Sequence, residues 1–269
     1  MSKKTILKFI RYGAVFALLS GTIFFVLVAY LNSQAKTLDI ESVVMDEPRT
    51  VQVFLPAGFG DNPERRYTVL YTLDGERIRN GALAALTARM AAPEPLILVA
   101  IDAQGWRRRD MLWDGATRFG KPHARQATRL LSFIETELIP KIESSYPTNG
   151  KRLLAGHSLG GLFAIYALTQ KPNLFDGYLA FSPTFSHADG SVEKLADFLK
   201  TNPELDQFLY MNLGLETADS YRDLFIESED ALKENAPPKL RQSISYYSLP
   251  HPFIMMPGYA EGLRNFFEQ

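Results

Sequence analysis

One serine of the chain, Ser158, lies in the pattern Gly-His-Ser-Leu-Gly over residues 156–160. The apolar run before it predicts a short buried strand, and the apolar run after it predicts a helix. A sharp turn between such elements exposes the serine hydroxyl, and glycines on both sides let neighbouring chains lie close to it. The segment therefore predicts a serine nucleophile. The alternative is a serine that only caps a buried helix.

A serine hydroxyl needs a base to take its proton, and the chain contains 4 histidines. Around this kind of turn the order along the chain is serine, acid, histidine, which excludes His123 and His157. We prefer His251 as the base, because it follows the last predicted strand and precedes the closing helix, where a loop can fold back over the serine. His187, with Asp189 beside it, is the alternative and is expected on a surface loop.

The orienting acid should follow a strand between the serine and the histidine, where it accepts the second imidazole proton. The segment QFLYMNLGLETADSYRD offers Glu216 first and Asp219 second. Glu216 is the better candidate because it follows the strand more closely. Two alternatives stay open: Asp219 is the acid, or no acid is used and Glu216 only flanks the next helix.

Attack on a carbonyl carbon creates a negative oxygen that two N–H groups must stabilise. The backbone N–H of Leu159, at the start of the predicted helix, is the first candidate. The second is the backbone N–H of Glu76 in the turn Asp74-Gly75-Glu76, which follows the predicted strand TVLYTL. Asp74 precedes the serine in the chain, so we interpret it as a residue that holds the turn. This chemistry needs no metal ion and no organic cofactor.

The elements that position these residues begin at Thr37, where short apolar strands start to alternate with helical patterns. This alternation predicts an α/β fold with a mainly parallel central sheet and helices on both faces. The first two strands, separated by DEPR, are expected to pair antiparallel. YTVLYTLDG and PLILVAID are typical of strands buried on both faces. A helix is predicted over 124–146, where apolar residues recur at helical spacing: Leu130, Leu131, Ile134, Leu138 and Ile142.

The first 35 residues differ from the rest, because basic residues precede an uncharged stretch over 12–35. Such a stretch spans about 30 Å as a helix, which matches the core of a bilayer and exceeds a signal peptide's apolar region. We expect a single transmembrane anchor at 1–35 in a bacterial inner membrane and a catalytic domain at 36–269 in the periplasm. One alternative is cleavage after the small residues Ser33 and Ala35, which would release the domain; the other is a buried helix of the folded domain, which the lack of a polar face disfavours.

Composition excludes several other functions. The chain has no cysteine, which excludes disulfides, cysteine nucleophiles and thiolate metal sites. Its formal net charge of −1 provides no positive field that would attract nucleic acid. The expected partners are therefore a small-molecule substrate and, through the N-terminal helix, a membrane.

Together these segments resemble the esterase D-like branch of the α/β-hydrolase superfamily, which includes siderophore esterases. The similar segments extend over nearly everything after residue 37: VFLPAGF, RRYTVLYTLDGE, LILVAIDAQGWRRRDM, RLLAGHSLGGLFAIYAL, LYMNLGLE and HPFIMMPGYAEGLRNFF. The resemblance implies an α/β-hydrolase fold with Ser158 as nucleophile and His251 as base. It supports the N–H groups of Leu159 and Glu76 as the oxyanion hole, and Glu216 is similar to the residue after the strand-end glycine.

The resemblance also draws attention to WRRRDMLWDG, because relatives often carry an arginine three residues before an acidic residue there. Arg107 and Asp110 fit this spacing. One interpretation is a salt-bridged loop. The other is a rim that binds an anionic or catecholate-bearing substrate through Arg107, with Trp106 and Trp113 as stacking surfaces. This chain departs from the relatives after the acidic residue, where they commonly have a Leu-Thr-Pro-like segment.

These observations predict a membrane-tethered serine hydrolase that cleaves carboxylic esters. Resemblance and export favour a siderophore-type ester, with simple acyl or aryl esters as the other substrate class. Two different functions compete with this prediction: an acyltransferase of the mycolyltransferase type, and a binding protein that keeps the fold without catalysis. A peptidase would use the same nucleophile, but nothing in the sequence marks a peptide-binding groove.

Overall fold

The centre of the molecule is a sheet, seen in a computed structural model of the 269-residue chain. The structure describes residue 22 and residues 26–75, 80–103, 105, 107–113, 127–216 and 218–268. Within these ranges the strands are β1 Lys36–Ser42, β2 Glu47–Phe54, β3 Tyr67–Leu73, β4 Leu96–Ile101, β5 Thr148–His157, β6 Gly177–Phe181, β7 Phe208–Leu215 and β8 Arg241–Pro250. They form one 8-stranded sheet in the order β1-β2-β4-β3-β5-β6-β7-β8.

The sheet is mainly parallel, as predicted. β1 and β2 pair antiparallel, and β2 also runs antiparallel to β4. The other pairs, from β4 through β3 to β8, are parallel. Every residue of β3, β4 and β6 is buried, because helices cover both faces of the central strands.

The segment DEPR, expected between the first two strands, lies mostly inside β2. Of its residues only Asp46 belongs to the turn, at a φ of 57°. Glu47, Pro48 and Arg49 pair with β1. Arg49 is drawn into the strand because its guanidinium donates to the buried Asp110 at 2.7 Å. The expected start of the second strand was therefore wrong, because the buried ion pair that holds Arg49 in β2 joins residues that are distant in the sequence.

Within the described residues, helices cover the two faces of the sheet in unequal numbers. They are α1 Asn80–Ala91, α2 Arg107–Met111, α3 Ala127–Phe133, α4 Ile139–Ser145, α5 Leu159–Gln170, α6 Ser191–Thr201, α7 Asp219–Asn235 and α8 Met255–Glu268. One apolar core contains buried residues of α2 to α7, and a second core on the other face contains those of α1 and α8. Neighbouring residues of one strand point to different cores, with Val69 in the first and Leu70 in the second.

The helix predicted over 124–146 is interrupted by one π-helical turn, Ile134–Leu138, between α3 and α4. The N–H of Ile139 donates to the carbonyl of Ile134, five residues back. Pro140 explains the widened turn, because proline lacks an N–H and its ring collides with the carbonyl four residues earlier. The five apolar positions that predicted the helix are all buried.

The predicted membrane anchor lies largely outside the described residues. Its last part, residues 26–34, is helical. Val28 and Leu31 of this segment are buried in the core that contains α1 and α8, whereas Leu27 and Tyr30 are exposed. Among the described residues, no helix has the length and apolar character that a membrane span requires.

Candidate active site

Ser158 occupies a sharp turn between β5 and α5, with a φ of 59° and a ψ of −113°. A positive φ at a residue other than glycine costs on the order of 1–3 kcal/mol and persists only where surrounding contacts impose it. The N–H of Ser158 donates to the carbonyl of Phe181 at 2.7 Å, and its own carbonyl accepts from the N–H of Leu162 at 3.0 Å. The serine therefore has the backbone conformation that the sequence pattern predicts.

The glycines around Ser158 are required by close contacts between backbones. A Cβ added to Gly156 would lie 2.2 Å from the carbonyl oxygen of Gly160. A Cβ added to Gly161 would lie 2.9 Å from the carbonyl oxygen of Phe181. Neither site has room for a methyl group, because α5 lies directly against β5 and β6.

Glu216 and His251 meet at the same edge of the sheet as Ser158. Glu216 follows β7 and His251 follows β8. The imidazole Nδ1 of His251 lies 2.9 Å from a carboxylate oxygen of Glu216. The Glu216 side chain is 3% exposed and that of His251 is 25% exposed. An Nδ1–H that donates to Glu216 leaves Nε2 of the imidazole as the proton acceptor.

The chain after β8 folds back across the sheet edge and brings His251 to the residue that precedes the serine. β8 lies three strands from β5, about 14 Å at the usual spacing between strands. Nevertheless the rings of His157 and His251 have centroids only 4.4 Å apart. The Nε2–H of His157 donates to the carbonyl oxygen of His251 at 2.9 Å. His157, which chain order excludes as the base, thus helps to hold the loop that carries His251.

Ser182, which follows β6, is a site residue that sequence reasoning missed. Its hydroxyl donates to Glu216 at 2.8 Å and accepts from the N–H of Gly214 at 3.3 Å. Its φ of 37° is a second positive value at the same sheet edge. The only sequence signal is a polar residue at the end of the apolar run GYLAF, between the nucleophile and the acid.

Asp219, the alternative acid, and His187, the alternative base, do not take part in the contact between Glu216 and His251. Asp219 is 84% exposed and pairs with Arg222 at 3.0 Å, so the structure does not bring it to His251. His187 was expected on a surface loop, but in the structure its side chain is half-buried. Its ring centroid lies 5.6 Å from that of Tyr221. It lines the same cavity as Ser158.

The structure shows one of the two predicted oxyanion-hole residues. Leu159 is the first residue of α5 and lines the cavity beside Ser158. The first N–H groups of a helix lack acceptors within it and form its positive end, which suits a developing anion. Glu76 lies outside the described residues. The turn before it is visible as far as Gly75, whose N–H donates to the carbonyl of Ile101 at 3.0 Å.

Arg107 lines the cavity, but its N–H groups point away from the cavity and into the protein. Its Nε lies 2.7 Å from both carboxylate oxygens of Asp74. Its terminal NH2 group donates to the carbonyl of His157 at 2.7 Å. Asp74 is buried at a φ of 59° at the end of β3, which agrees with its predicted role in holding the turn.

Asp110 belongs to a separate charge cluster that joins α2 to β2. It accepts from Arg49 at 2.7 Å and from Arg109 at 2.6 Å, and Arg109 also donates to Glu47. The hydrogen bond from Arg109 lowers the pKa of Glu47 below its ordinary value. Burial lowers the pKa of Arg109, but its hydrogen bonds to Glu47 and Asp110 outweigh that effect and raise the pKa overall. Arg107 and Asp110 therefore do not pair with each other: Arg107 forms its salt bridge with Asp74, and Asp110 forms salt bridges with Arg49 and Arg109.

The predicted aromatic rim is only partly described. Trp106 lies outside the described residues. Trp113 is buried, and its indole N–H donates to the carbonyl of Leu162 at 3.2 Å. The interpretation of Trp113 as a stacking surface for substrate was therefore wrong, because its ring is packed in the core beneath α5.

A cavity of about 580 Å³ opens beside the serine. Among the described residues, its lining includes Gly105, Arg107, Arg108, Arg109, Ser158, Leu159 and His187. This volume falls in the range of small-molecule sites, and one wall carries three consecutive arginines. Within the described residues, no group of three His, Asp or Glu side chains is placed to hold a metal ion.

The fold and site together define a class of protein. A serine on a strained strand-to-helix turn is followed, after later parallel strands, by an acid and then by a histidine that contacts that acid. This is the architecture of an α/β-hydrolase with a Ser-Glu-His arrangement.

Comparison with known proteins narrows the class to a family. The model of the family described as "Putative esterase" matches residues 42–235. The chain belongs to this esterase family, which confirms the family expected from the sequence.

Relatives of the chain are named siderophore esterases. The ferri-bacillibactin esterase BesA of Bacillus subtilis is 31% identical over 159 residues, which cover 52% of this chain and 55% of the relative. The siderophore triacetylfusarinine C esterase of Aspergillus fumigatus is 32% identical over 154 residues, which cover 51% of this chain and 52% of the relative. The similarity thus spans about half the length of these relatives.

A solved structure is similar over most of the chain. The IroE-like serine hydrolase of Shewanella oneidensis has a TM-score of 0.76 and 28% identity, and the match covers 87% of this chain and 80% of that protein. Together the relatives support the prediction of a carboxylic ester hydrolase and agree with the α/β fold described above.

Proposed function

We propose that this protein is a serine esterase in which Ser158 is the nucleophile, His251 the general base and Glu216 the orienting acid. The observation that carries the proposal is the 2.9 Å contact between Nδ1 of His251 and Glu216, with the His251 ring against the residue that precedes Ser158. Three residues that are distant in the chain converge there on one sheet edge.

The reaction proceeds through an acyl-enzyme. Ser158 Oγ attacks the ester carbonyl carbon while Nε2 of His251 takes the hydroxyl proton. The backbone N–H of Leu159 stabilises the resulting oxyanion, with the N–H of Glu76 as the proposed second donor. The intermediate collapses, the C–O bond breaks, and the imidazolium gives its proton to the leaving alcohol. Water, deprotonated by His251, then attacks the acyl-enzyme and releases the acid and Ser158.

The substrate that we propose is a siderophore-type ester. The named siderophore esterases among the relatives support this choice. We further propose that the first 35 residues anchor the protein in a bacterial inner membrane, with the catalytic domain in the periplasm. The support for this location is the uncharged stretch over 12–35 that follows a basic flank.

The test uses the purified full-length chain in detergent, with Ser158→Ala as the matched control. We expect wild type to hydrolyse a siderophore ester, to hydrolyse p-nitrophenyl esters more weakly, and to be labelled covalently by a fluorophosphonate probe. Ser158→Ala should lose probe labelling and about 10⁴-fold or more in kcat. Equal activity and labelling in the two proteins would refute the proposal, and ester formation with added alcohols that exceeds hydrolysis would show an acyltransferase instead.

A further inference from the structure

Arg107 connects two segments that both flank the reaction centre. One acceptor is the carbonyl of His157, the residue before the nucleophile, and the other is the carboxylate of Asp74 at the end of β3. These acceptors come from strands that are neighbours in the sheet. The guanidinium therefore bridges the nucleophile turn and the turn that precedes the predicted second oxyanion donor.

The bond to His157 acts on the peptide unit that joins His157 to Ser158. Its carbonyl accepts from Arg107 at 2.7 Å, and its N–H, which belongs to Ser158, donates to the carbonyl of Phe181 at 2.7 Å. Because a peptide unit is planar, bonds at both ends fix its rotation. That rotation sets φ of Ser158, which is held at 59°.

The hydrogen bond from Arg107 to Asp74 acts on the turn at the end of β3. Asp74 has a φ of 59° and is buried, so its carboxylate needs a charged or hydrogen-bonding partner. The Arg107 side chain is 19% exposed and that of Asp74 is 3% exposed. Removing one partner from such a largely buried pair is costly, because the other charge stays buried.

This geometry distinguishes Arg107 from a residue that reaches out to bind substrate. Its Nε faces Asp74 and one terminal nitrogen faces His157. Lysine cannot replace this arrangement, because one ammonium lacks the rigid fork that meets two acceptors in different directions.

We propose that Arg107 is a positioning residue that holds the Ser158 turn and the end of β3 in the register needed for attack and for oxyanion stabilisation. This inference rests on the proposed esterase function and changes the role of Arg107 from binding substrate to acting through its neighbours.

If Arg107 acts by positioning, its replacement should lower kcat and leave KM nearly unchanged, even for an ester that carries no charge for the arginines to bind. For p-nitrophenyl acetate, which is small and neutral, Arg107→Lys should lower kcat about 100-fold, because displacements of about 1 Å cost that much. Its KM should change less than threefold. A substrate-binding role predicts the opposite: unchanged kinetics with this ester and a raised KM only with an anionic ester.

The experiment compares Arg107→Lys, Arg107→Gln and Asp74→Asn with Arg152→Gln in the full-length chain. Arg152 is the control arginine, because its side chain is about as exposed as that of Arg107, 25% against 19%, and it also pairs with a carboxylate, that of Glu143. Asp74→Asn keeps the bond to His157 and should lose less kcat than Arg107→Gln. Arg152→Gln should keep wild-type kcat. Thermal unfolding shows whether each variant is folded at the assay temperature.

Structure determination of Arg107→Lys supplies a readout that does not depend on activity. We expect the His157–Ser158 peptide to rotate and φ of Ser158 to leave its value near 59°. An unchanged φ together with wild-type kcat on the neutral ester overturns the inference. If wild type hydrolyses no ester, the esterase proposal fails by itself, and the variant structure still decides whether Arg107 holds the turn.

Discussion

The Glu216 carboxylate accepts hydrogen bonds from two directions, from His251 and from Ser182. Two donors on one carboxylate restrict its rotation, and the carboxylate then restricts the imidazole ring. Asp219, three residues later, is exposed and bonded to Arg222. The two acidic residues therefore provide a matched pair for asking whether an acid takes part at all.

We predict that Glu216→Gln lowers kcat by about 10²- to 10⁴-fold, because an amide can present its NH2 group to Nδ1 and favour the wrong imidazole tautomer. Asp219→Asn should keep wild-type kcat. Steady-state hydrolysis of p-nitrophenyl acetate measures both effects. Full activity in Glu216→Gln would instead support a Ser-His dyad, in which Glu216 only fixes the loop.

The residues of the proposed triad and the role of Asp74 in holding its turn could be predicted, whereas the contacts of Ser182 and Arg107 could not. Ser158, Glu216 and His251 follow from chain order and from their places after strands. Ser182 and Arg107 contact partners 34 and 50 residues away, across strands whose register the sequence does not specify. Trp113 was assigned to the surface for the same reason, since its burial depends on how α5 packs over it.

At the scale of elements, the site depends on how closely α5 approaches β5. Gly156 and Gly160 face each other across this contact, but their environments differ. A Cβ on Gly156 would lie 2.2 Å from a backbone oxygen, whereas a Cβ on Gly160 would lie 3.4 Å from its nearest neighbour, a side-chain atom of Leu73. Only the first position requires glycine for reasons of space.

We predict that Gly156→Ala destabilises the protein by about 3 kcal/mol, because the methyl group forces backbone apart. Gly160→Ala should change the free energy of unfolding by less than about 1 kcal/mol, since its contact is ordinary and alanine favours a helix. Urea unfolding followed by circular dichroism measures both. Equal midpoints for the two variants would contradict the close contact between β5 and α5.

α2, which carries Arg107, is attached to β2 through the cluster of Glu47, Arg49, Arg109 and Asp110. The pKa of Glu47 is lower in the folded protein, chiefly through its hydrogen bond to Arg109. The unfolded chain therefore binds this proton first as the pH falls, and the stabilisation by Glu47 is present near neutral pH and lost in acid.

We predict that Glu47→Gln lowers the unfolding temperature at pH 7 and that its difference from wild type shrinks below about pH 5. Glu204→Gln, which breaks the exposed ion pair with Lys239, is the control and should have little effect at either pH. Thermal scans from pH 7 to pH 3 measure the difference. A difference that grows in acid would contradict the lowered pKa.

At the scale of the whole molecule, the segment before β1 belongs partly to the folded domain. Leu31 is buried in the core that contains α1 and α8, whereas Leu27, on the same helical segment, is 44% exposed. Sequence alone could not separate these residues, because the whole stretch over 12–35 is uncharged and has no polar face. Residues 26–34 belong to the anchor proposed for 1–35, so their packing on the domain leaves residues 12–25 as the uncharged stretch available to enter the membrane.

We predict that Leu31→Ser lowers the unfolding temperature of the detergent-solubilised full-length chain by several degrees, since losing a buried leucine costs about 3 kcal/mol. Leu27→Ser makes the same chemical change at an exposed position and should leave the unfolding temperature within about 1 °C of wild type. Equal effects would mean that the segment does not pack on the domain and acts only as a flexible connection. A selective effect of Leu31→Ser would mean that residues 26–34 and the domain form one folded unit.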